Sequence, residues 1–384
     1  MPRLRVRLPR MIGWSASLSR LRRARFWLAG LRYRARSPRA LIKGRIAPPL
    51  AFGANIAVAR SGVGGVPEAS RLTAKALEAA GVPVSLADAC SGEARCDGRS
   101  GVIPSEGNPF RFNLLLSSIP QAEELLWRKG PAFFADHYNI AFWPWEYEVF
   151  PEKLHGLFRY YDEVWVPSRF CLDVVSSVSP VPVFCFPHPI ALRESIASHS
   201  RLLMSIPADA TVFLSIFHLL THFRRKNVLG LIEAFRRAFR PNDNAWLVIK
   251  VTDSSTARER LSFLQGATKG SNIRLIDETV RRDELDDLIA SCSAYVSLHR
   301  SEGFGLTIAE AMAIGKPVIA TAYGGNMDYM TATNSYPVDY TLVDLEPDAS
   351  GLRKGRWAEP DLDQAALLMR NIHESLHQAQ SVGD

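Results

Sequence analysis

From Ala51 onward, short apolar runs alternate with longer amphipathic stretches along this chain. The run FGANIAVAR is followed by a stretch in which Leu72, Ala76 and Leu77 share one helical face, and Gly81 ends that helix. VPVSLAD is the next apolar run, so the three segments predict a strand–helix–strand unit. Repeated alternation of this kind predicts a parallel sheet covered by helices on both faces.

The alternation occurs in two successive halves. The first continues through the apolar runs FRFNLLLSS, YNIAFWPW, DEVWVPS and VPVFCFPH. The stretch PHPIALRESIASHSRLLMSIPADA interrupts it, and a second half runs through TVFLSIF, AWLVIKV, IRLID and AYVSLHR. The pattern therefore predicts an α/β chain of two doubly wound, Rossmann-like domains that face each other across a ligand-binding cleft.

Five segments follow from these changes of pattern. We expect a basic leader at 1–50, a Rossmann-like domain at 51–190, a linker at 191–208, a second Rossmann-like domain at 209–360 and a C-terminal helix at 361–384. With 384 residues, 47% of them apolar, the chain is long enough to give each domain its own core.

The charge of the chain is unevenly distributed. Residues 1–67 contain 14 Arg and one Lys but no acidic residue, so the remainder holds 31 of the 46 basic residues against all 39 acidic ones, a net charge of −8. The total of +7 is therefore no reason to expect nucleic-acid binding by the folded part. In residues 1–45, apolar residues at helical spacing among arginines predict an amphipathic helix on an anionic membrane surface. A disordered tail or a transit peptide would fit the same composition.

Composition also excludes two classes of protein. No apolar run reaches the roughly 18 residues that a membrane span needs, so the chain is not integral to a membrane. The five cysteines are scattered, and their spacing fits no zinc or redox motif, so we expect reduced thiols and no metal site.

The strongest chemical signal is the stretch HRSEGFGLTIAEAMAIGKPVIAT, residues 299–321, which predicts a strand end, a glycine-rich turn, a helix and a further strand. The backbone amides from Gly303 to Leu306 would be free at the helix N-terminus, where the helix dipole favours anions. Glycines also allow a ligand to approach the backbone closely. The stretch therefore predicts a cradle for a diphosphate.

Two glutamates bracket this turn. Thr307 and Glu310 have the spacing of a capping box, so Glu310 is a helix cap, a ligand contact or both. Glu302 precedes the helix, and capping does not explain it. Because a carboxylate accepts hydrogen bonds from two vicinal hydroxyls, one glutamate would hold a ribose and the other a hexose.

Glu302 and Glu310, together with the residues between and after them, resemble the E-x7-E signature of the group 1 retaining glycosyltransferases of GT-B fold. The resemblance extends from about Phe52 to Arg370. It includes FRRKNVLGLIEAFRRAF, YNIAFWPWEYEVFP, DEVWVPSRF, YGGNMDY and GRWAEPDLDQAALLMR. It implies an acceptor-binding domain at 51–190, a nucleotide-sugar-binding domain at 209–360, and a C-terminal helix shorter than in such relatives.

The resemblance also implies a role for individual residues. Glu310 would bind the ribose of a nucleoside-diphosphate sugar, Glu302 the hydroxyls of the transferred sugar, and Lys226 the diphosphate. The remaining donor contacts would come from the glycine turn and the start of its helix, namely Gly303, Phe304, Gly305, Leu306 and Thr307. Many relatives carry an arginine five residues before the lysine, where this chain has Thr221; Arg225, in preference to Arg224, would replace it.

On the N-terminal side, the loop SGVGGVPEAS resembles the loop that reaches the donor phosphates and the acceptor in such enzymes, which implies this role for Gly64 and Gly65. Pro67 occupies the third position of what would otherwise be a G-x-G-x-x-G fingerprint, which argues against an oxidoreductase or epimerase.

The catalytic group of the N-terminal domain is less defined. The strand YNIAFWPWE offers Glu146, which is our candidate. His137 and His188 are expected to be structural, as most single histidines are. Nearby aromatic residues would form either core or a platform for sugar stacking. They are Phe142, Trp143, Trp145 and Tyr147.

These observations predict a retaining enzyme that moves a mannose-like or glucose-like hexose from a nucleotide sugar to a glycan or a lipid-linked acceptor, in polysaccharide biosynthesis. We expect Glu302, Lys226, Arg225 and Glu146 to carry catalysis, with no metal ion or other cofactor. The expected location is cytoplasmic, at the inner face of the cell membrane if the leader binds lipid. An inactive relative that serves as a binding or scaffolding protein is the alternative.

Overall fold

The computed structural model describes residues 50–382 with nine gaps. The gaps are 59–63, 88–103, 106–107, 192–199, 201–202, 204, 220–222, 253–256 and 346–353. The basic leader up to residue 49, most of the expected linker and Thr221 therefore lie outside the described residues.

The N-terminal domain is built on a parallel sheet with the strand order β3-β2-β1-β4-β5-β6-β7. The strands are β1 (Ala51–Val58), β2 (Val84–Ala87), β3 (Pro104–Ser105), β4 (Phe110–Leu116), β5 (Tyr138–Phe142), β6 (Glu163–Val166) and β7 (Val183–Cys185). The helices are α1 (Gly65–Ala79), α2 (Ile119–Lys129), α3 (Pro131–Phe134), a 3₁₀ segment (Glu152–Tyr160) and α4 (Arg169–Ser176).

The C-terminal domain repeats this plan with a parallel sheet in the order β10-β9-β8-β11-β12-β13. The strands are β8 (Thr211–His218), β9 (Ala245–Thr252), β10 (Ile273–Ile276), β11 (Ala294–Ser297), β12 (Val318–Thr321) and β13 (Tyr336–Val338). The helices are α5 (Phe223–Lys226), α6 (Val228–Ala238), α7 (Arg258–Ala267), α8 (Arg282–Ser291), α9 (Leu306–Ala313) and a 3₁₀ segment (Gly325–Asp328). The prediction of two Rossmann-like α/β domains is confirmed.

Both faces of each sheet are buried, which is why the strands read as continuous apolar runs. Successive residues of a strand point to opposite faces. In β1 and β4, Ile56 and Leu114 belong to one buried cluster, whereas Ala57 and Leu115 belong to the other.

Strand order reverses at an equivalent place in each sheet. β1 lies between β2 and β4, and β8 lies between β9 and β11. Ligands of such sheets bind beside this reversal, outside the carboxyl ends of the strands. The chain leaving β1 leads to Gly64, that leaving β8 leads to α5, and that leaving β11 leads to Glu302. The fold therefore brings the sequence motifs to one cleft.

One element was not predicted. β14 (Tyr340–Asp344) and β15 (Arg356–Pro360) form a separate antiparallel hairpin. Although it follows the C-terminal sheet in the chain, Leu345 and Trp357 are buried in a core cluster of the N-terminal domain. Arg356 also forms an ion pair with Glu148 of that domain, with a separation of 3.0 Å. The hairpin therefore spans the junction between the domains.

The last helix, α10 (Leu362–Val382), packs on the C-terminal domain. Ala365, Met369 and Ile372 are buried in the same cluster as Leu231 and Phe235 of α6. Within the described part of the chain, no helix has the length and apolar character that crossing a membrane requires.

Candidate functional site

The loop between β11 and α9 has its carbonyl groups turned towards the protein. The carbonyl of Glu302 accepts a hydrogen bond from the amide of Gly325 at 2.7 Å. The carbonyl of Gly303 accepts one from Oγ of Ser168, in the N-terminal domain, at 2.6 Å. Both contacts hold the loop against the junction of the two domains.

A tyrosine hydroxyl holds the next part of the same loop. Oη of Tyr329 lies 2.7 Å from the carbonyl oxygen of Phe304 and 2.8 Å from that of Gly305. In a trans peptide the amide points opposite to the preceding carbonyl. The amides of residues 303–306 therefore point away from the groups that hold the carbonyls, and no described residue accepts from them. This is the arrangement of an anion cradle at a helix N-terminus.

Glu302 lies at the entrance of the loop and is buried, with 7% of its surface exposed. Lys226 donates a hydrogen bond to its Oε1, and Nη1 of Arg225 lies 3.3 Å from its Oε2. Burial alone would raise the pKa of this carboxyl, but the charges of Lys226 and Arg225, with a smaller effect of His299, lower it to about 2. Glu302 is therefore a carboxylate at physiological pH and accepts hydrogen bonds.

Arg225 joins both domains to this carboxylate. Its guanidinium, on a residue that is 2% exposed, donates from Nη1 to the carbonyl of Ser301 at 2.6 Å and from Nη2 to Glu146 at 3.2 Å. Glu146 follows β5 in the N-terminal domain. The structure therefore brings together four residues that the sequence proposed separately: Arg225, Lys226, Glu302 and Glu146.

Helix α5, which carries Arg225 and Lys226, is held by a residue that the sequence did not single out. The amide of Arg300 donates to the carbonyl of Arg225 at 2.7 Å, and its Nη1 donates to the carbonyl of Arg224 at 2.6 Å. The same guanidinium forms two hydrogen bonds with Glu359 of β15, at 2.7 and 2.9 Å. The hairpin thus supports helix α5 through Arg300.

Glu310 is not a helix cap, and the capping-box interpretation is wrong. Gly305, with φ of 82°, is the N-cap of α9, so Glu310 lies in the middle of the helix rather than in its first turn. Thr307 accepts a hydrogen bond from Tyr295 Oη at 2.7 Å instead of capping the helix. The spacing of Thr307 and Glu310 could not reveal this, because it does not locate the first helical residue.

Glu310 is instead a buried carboxyl group whose cationic partner, among the described residues, is Arg282. Arg282 Nη1 donates to its Oε1 at 2.7 Å. Burial raises the pKa of Glu310 to about 7, and Arg282 opposes that rise. Arg282 also reaches Glu68 of α1, with 3.4 Å between Nη1 and Oε1. This contact places the start of α1, with Gly64 and Gly65, near Glu310.

The histidines and aromatic residues of the N-terminal domain have mainly structural surroundings. The ring nitrogens of His137 lie 2.6 and 2.9 Å from the carbonyls of Ala135 and Asn108. His188 packs between Phe142 and Phe304, and burial lowers its pKa to about 4. The aromatic residues proposed as core or sugar platform are all buried, which makes them core. They are Phe142, Trp143, Trp145 and Tyr147.

The close approach of two backbone segments makes Gly325 a sensitive position. A Cβ at Gly325 would meet the carbonyl oxygen of Gly303 and lie 2.7 Å from Oγ of Ser168. We expect Gly325→Ala to lower the free energy of unfolding by about 1–3 kcal/mol, as overpacking does. Thermal unfolding checks this. The control is Gly266→Ala in α7, where nothing lies within 4 Å of the added Cβ; equal effects of the two changes would contradict the prediction.

Comparison with known proteins found a family model and several solved structures that resemble this chain. Residues 206–339, which contain Lys226, Glu302 and Glu310, match the model of the family Glycosyl transferases group 1. The structure of HepE from Anabaena, in complex with UDP and glucose, is similar to 86% of this chain and 91% of its own, with a TM-score of 0.57 at 12% identity. The chain has the GT-B fold.

Two further GT-B structures resemble the chain. Sucrose-phosphate synthase from Thermosynechococcus elongatus has a TM-score of 0.55 and 17% identity, over 85% of this chain and 94% of its own. The lipopolysaccharide outer core galactosyltransferase WaaB has a TM-score of 0.54 and 13% identity, over 84% of this chain and 90% of its own. At these identities the likeness concerns the fold.

Among curated proteins, sucrose synthase 2 of Hordeum vulgare is 32% identical over 139 residues. That match covers 32% of this chain and 17% of the relative, and the sucrose synthase 2 of Zea mays matches to the same extent. The chain thus matches less than a fifth of the length of these curated relatives.

In the described ranges, no group of three or more histidine, cysteine or acidic side chains is arranged to hold a metal ion.

Proposed function

We propose that this protein is a retaining glycosyltransferase that moves a hexose from a nucleoside-diphosphate sugar to a hydroxyl of a glycan or lipid-linked acceptor. The observation that carries the proposal is the buried carboxylate of Glu302, held by Lys226 and Arg225 beside the unpaired amides of the glycine loop. A site for a diphosphate linked to a polyhydroxylated sugar needs both parts: donors and a cation for the phosphates, and a fixed carboxylate for the hydroxyls.

The donor phosphates would lie over the amides of residues 303–306, near Lys226. The side chain of Lys226 is 21% exposed, so its ammonium is accessible from the cleft although it contacts Glu302. Negative charge grows on the departing diphosphate, and a preorganised cation with backbone donors stabilises that charge most in the transition state. Gly64 and Gly65, on the opposite side of the cleft, would also contact the donor phosphates.

In the reaction, the bond between the anomeric carbon and the diphosphate oxygen breaks, and the acceptor oxygen bonds to the same carbon on the same face. The acceptor proton passes to the leaving phosphate oxygen. Glu302 would not serve as a nucleophile, because two cations hold its carboxylate in place. It would bind the sugar hydroxyls, while Glu146 and Arg225 fix the two domains around the reacting carbon.

The relatives support a hexose donor without identifying it. One similar structure contains UDP and glucose, and another is a galactosyltransferase. Mannose-like and glucose-like donors are both compatible with a site built from one carboxylate and backbone amides. Binding of residues 1–45 to an anionic membrane, and thereby a place at the inner face of the cell membrane, stays a prediction from charge and apolar spacing.

A thermal-shift panel tests the proposal directly. UDP-, GDP-, ADP- and dTDP-sugars are added to the wild type, to Glu302→Gln and to a control, Glu233→Gln, whose exposed carboxylate pairs with Arg237 on the same helix. We expect at least one nucleotide sugar to raise the melting temperature of the wild type and of the control. We expect a smaller rise for Glu302→Gln, because an amide accepts fewer hydroxyl hydrogen bonds than a carboxylate.

Two other results would lead to different conclusions. If no nucleotide sugar stabilises the wild type, the transferase proposal is wrong. If nucleotide sugars bind but neither transfer to a broad set of glycan acceptors nor donor hydrolysis is detected, the chain is better described as an inactive relative with a binding or scaffolding role.

A further inference from the structure

An ion-pair network connects Glu310 to the opposite domain. Arg282, the first residue of α8, contacts three carboxylates. Its Nη1 lies 2.7 Å from Glu310 Oε1 and 3.4 Å from Glu68 Oε1, and its Nη2 lies 2.8 Å from Asp286 Oδ1. Glu310 and Asp286 belong to the C-terminal domain, whereas Glu68 belongs to the N-terminal domain. One guanidinium therefore holds groups of both domains.

On the N-terminal side, Glu68 is held firmly in place. It lies in the first turn of α1, shortly after Gly64 and Gly65. Arg71 donates to both of its oxygens, with Nε 2.9 Å from Oε2. Burial would raise the pKa of Glu68, but Arg71 and Arg282 lower it overall. Glu68 is therefore ionised and fixed, so its contact with Arg282 restrains the whole N-terminal end of α1.

On the C-terminal side, Glu310 depends on the same cation. Among the described residues, Arg282 is the group that donates to Glu310, and it uses one carboxylate oxygen. Oε2 therefore remains for a ligand donor. The other ionisable groups that act on Glu310 are the carboxylates of Glu68 and Asp286, which disfavour its ionised form, and the neutral phenols of Tyr295 and Tyr329.

We propose that Arg282 is a positioning residue that couples the Glu310 end of the nucleotide site to helix α1 of the N-terminal domain. A ligand that uses the free oxygen of Glu310 favours the arrangement in which Arg282 reaches Glu68, and that arrangement holds Gly64 and Gly65, at the start of α1, against the ligand. Coupling of this kind is reciprocal, so loosening α1 weakens binding at Glu310. The inference rests on the proposed binding of a nucleotide sugar in this cleft.

Three variants test the coupling: Arg282→Gln, Glu68→Gln and the double variant. UDP-glucose and GDP-mannose are the probes in titration calorimetry, because the diphosphate of a nucleotide sugar has no group that titrates near pH 7. Coupling free energies between sites typically correspond to 5–150-fold changes, and we expect each single variant to bind about tenfold more weakly. The double variant should bind no more weakly than Arg282→Gln, because both changes break the same link.

A pH series separates this role from a loss of structure. A carboxylate accepts hydroxyl hydrogen bonds better than a carboxylic acid, so wild-type affinity should rise as the pH increases through about 7, where Glu310 ionises. Without Arg282 the carboxyl is harder to ionise, and the rise should move to higher pH in Arg282→Gln. It should not move upward in Glu68→Gln. Arg282→Lys keeps the positive charge and should recover most of the wild-type pH profile.

The matched control is Arg281→Gln. This neighbouring arginine pairs with Asp283 at 2.7 Å and lies outside the network. Its replacement removes the same charge as Arg282→Gln does. Circular dichroism and melting temperature establish that each variant is folded. Suppose that the wild type binds a probe. The coupling is then refuted, while the proposed function stands, if the effects of Glu68→Gln and Arg282→Gln on affinity are additive or if Glu68→Gln has no effect. If the wild type binds none of the nucleotide sugars in the panel, both fail.

Discussion

Replacing Arg225 with methionine should lower the free energy of unfolding of the C-terminal domain by about 3–5 kcal/mol, the range found when one partner of a buried ion pair is removed. Arg225 is buried, and its guanidinium contacts Glu302, Glu146 and the carbonyl of Ser301. Methionine keeps much of the side-chain volume but leaves the buried carboxylate of Glu302 with Lys226 alone. Differential scanning calorimetry, which resolves the transitions of a two-domain protein, is the appropriate measurement.

Arg237→Met is the control for this change. Arg237 lies on α6 and pairs with Glu233 and Asp363, but its side chain is 40% exposed, so its loss should cost about 1 kcal/mol or less. Equal effects of the two variants would show that Arg225 does not hold a buried carboxylate.

The difference in the free energy of unfolding between the wild type and Arg225→Met should depend on pH. The pKa of Glu302 is about 2 in the folded protein against its ordinary value of 4.5, so its ionised form stabilises the fold above that ordinary value. This stabilisation is lost as the pH falls from 4.5 towards 2. The difference between the wild type and Arg225→Met should therefore shrink over that interval.

Replacing Lys226 with methionine should lower the turnover number roughly 10²–10³-fold, the effect of removing one preorganised group that stabilises transition-state charge. Because the Lys226 side chain is partly exposed, whereas that of Arg225 is buried, the cost in stability should be smaller than for Arg225→Met. Steady-state transfer, or hydrolysis of the donor where the acceptor is unknown, gives the turnover number.

Two further variants make the Lys226 result interpretable. Lys269→Met changes the charge at an exposed position of the same domain and should leave turnover unchanged. Lys226→Arg keeps the charge but alters its geometry, and it should recover part of the rate. A decrease below about tenfold for Lys226→Met would remove this lysine from the catalytic role that we propose, since one charged hydrogen bond in a dry site contributes more than that.

Much of this site could be predicted because its parts lie at predictable places in the fold. Strand alternation indicated where parallel strands end, and residues at those ends meet in one cleft. Glu302 was recognisable as unexplained by capping, and helix α5 with Arg225 and Lys226 follows β8. These inferences depend on local order along the chain, which the sequence records directly.

Other parts depend on contacts between distant residues and could not be predicted. The start of α9 is determined by the left-handed conformation of Gly305, which spacing alone does not reveal. Arg282 reaches Glu310 across 28 positions and Glu68 across the domain junction. The β14–β15 hairpin breaks the alternation, and most positions of β14 are exposed, as they would be in a loop.

The hairpin also constrains how the chain can fold as it is synthesised. N-terminal domains usually fold first, as they leave the ribosome. Here the N-terminal core includes Leu345 and Trp357, which are translated after all strands of the C-terminal sheet. The first domain therefore keeps an open apolar surface until the second is almost complete, and only then can both cores close. For the same reason, a fragment that ends at the boundary between the two sheets would lack part of its own interior.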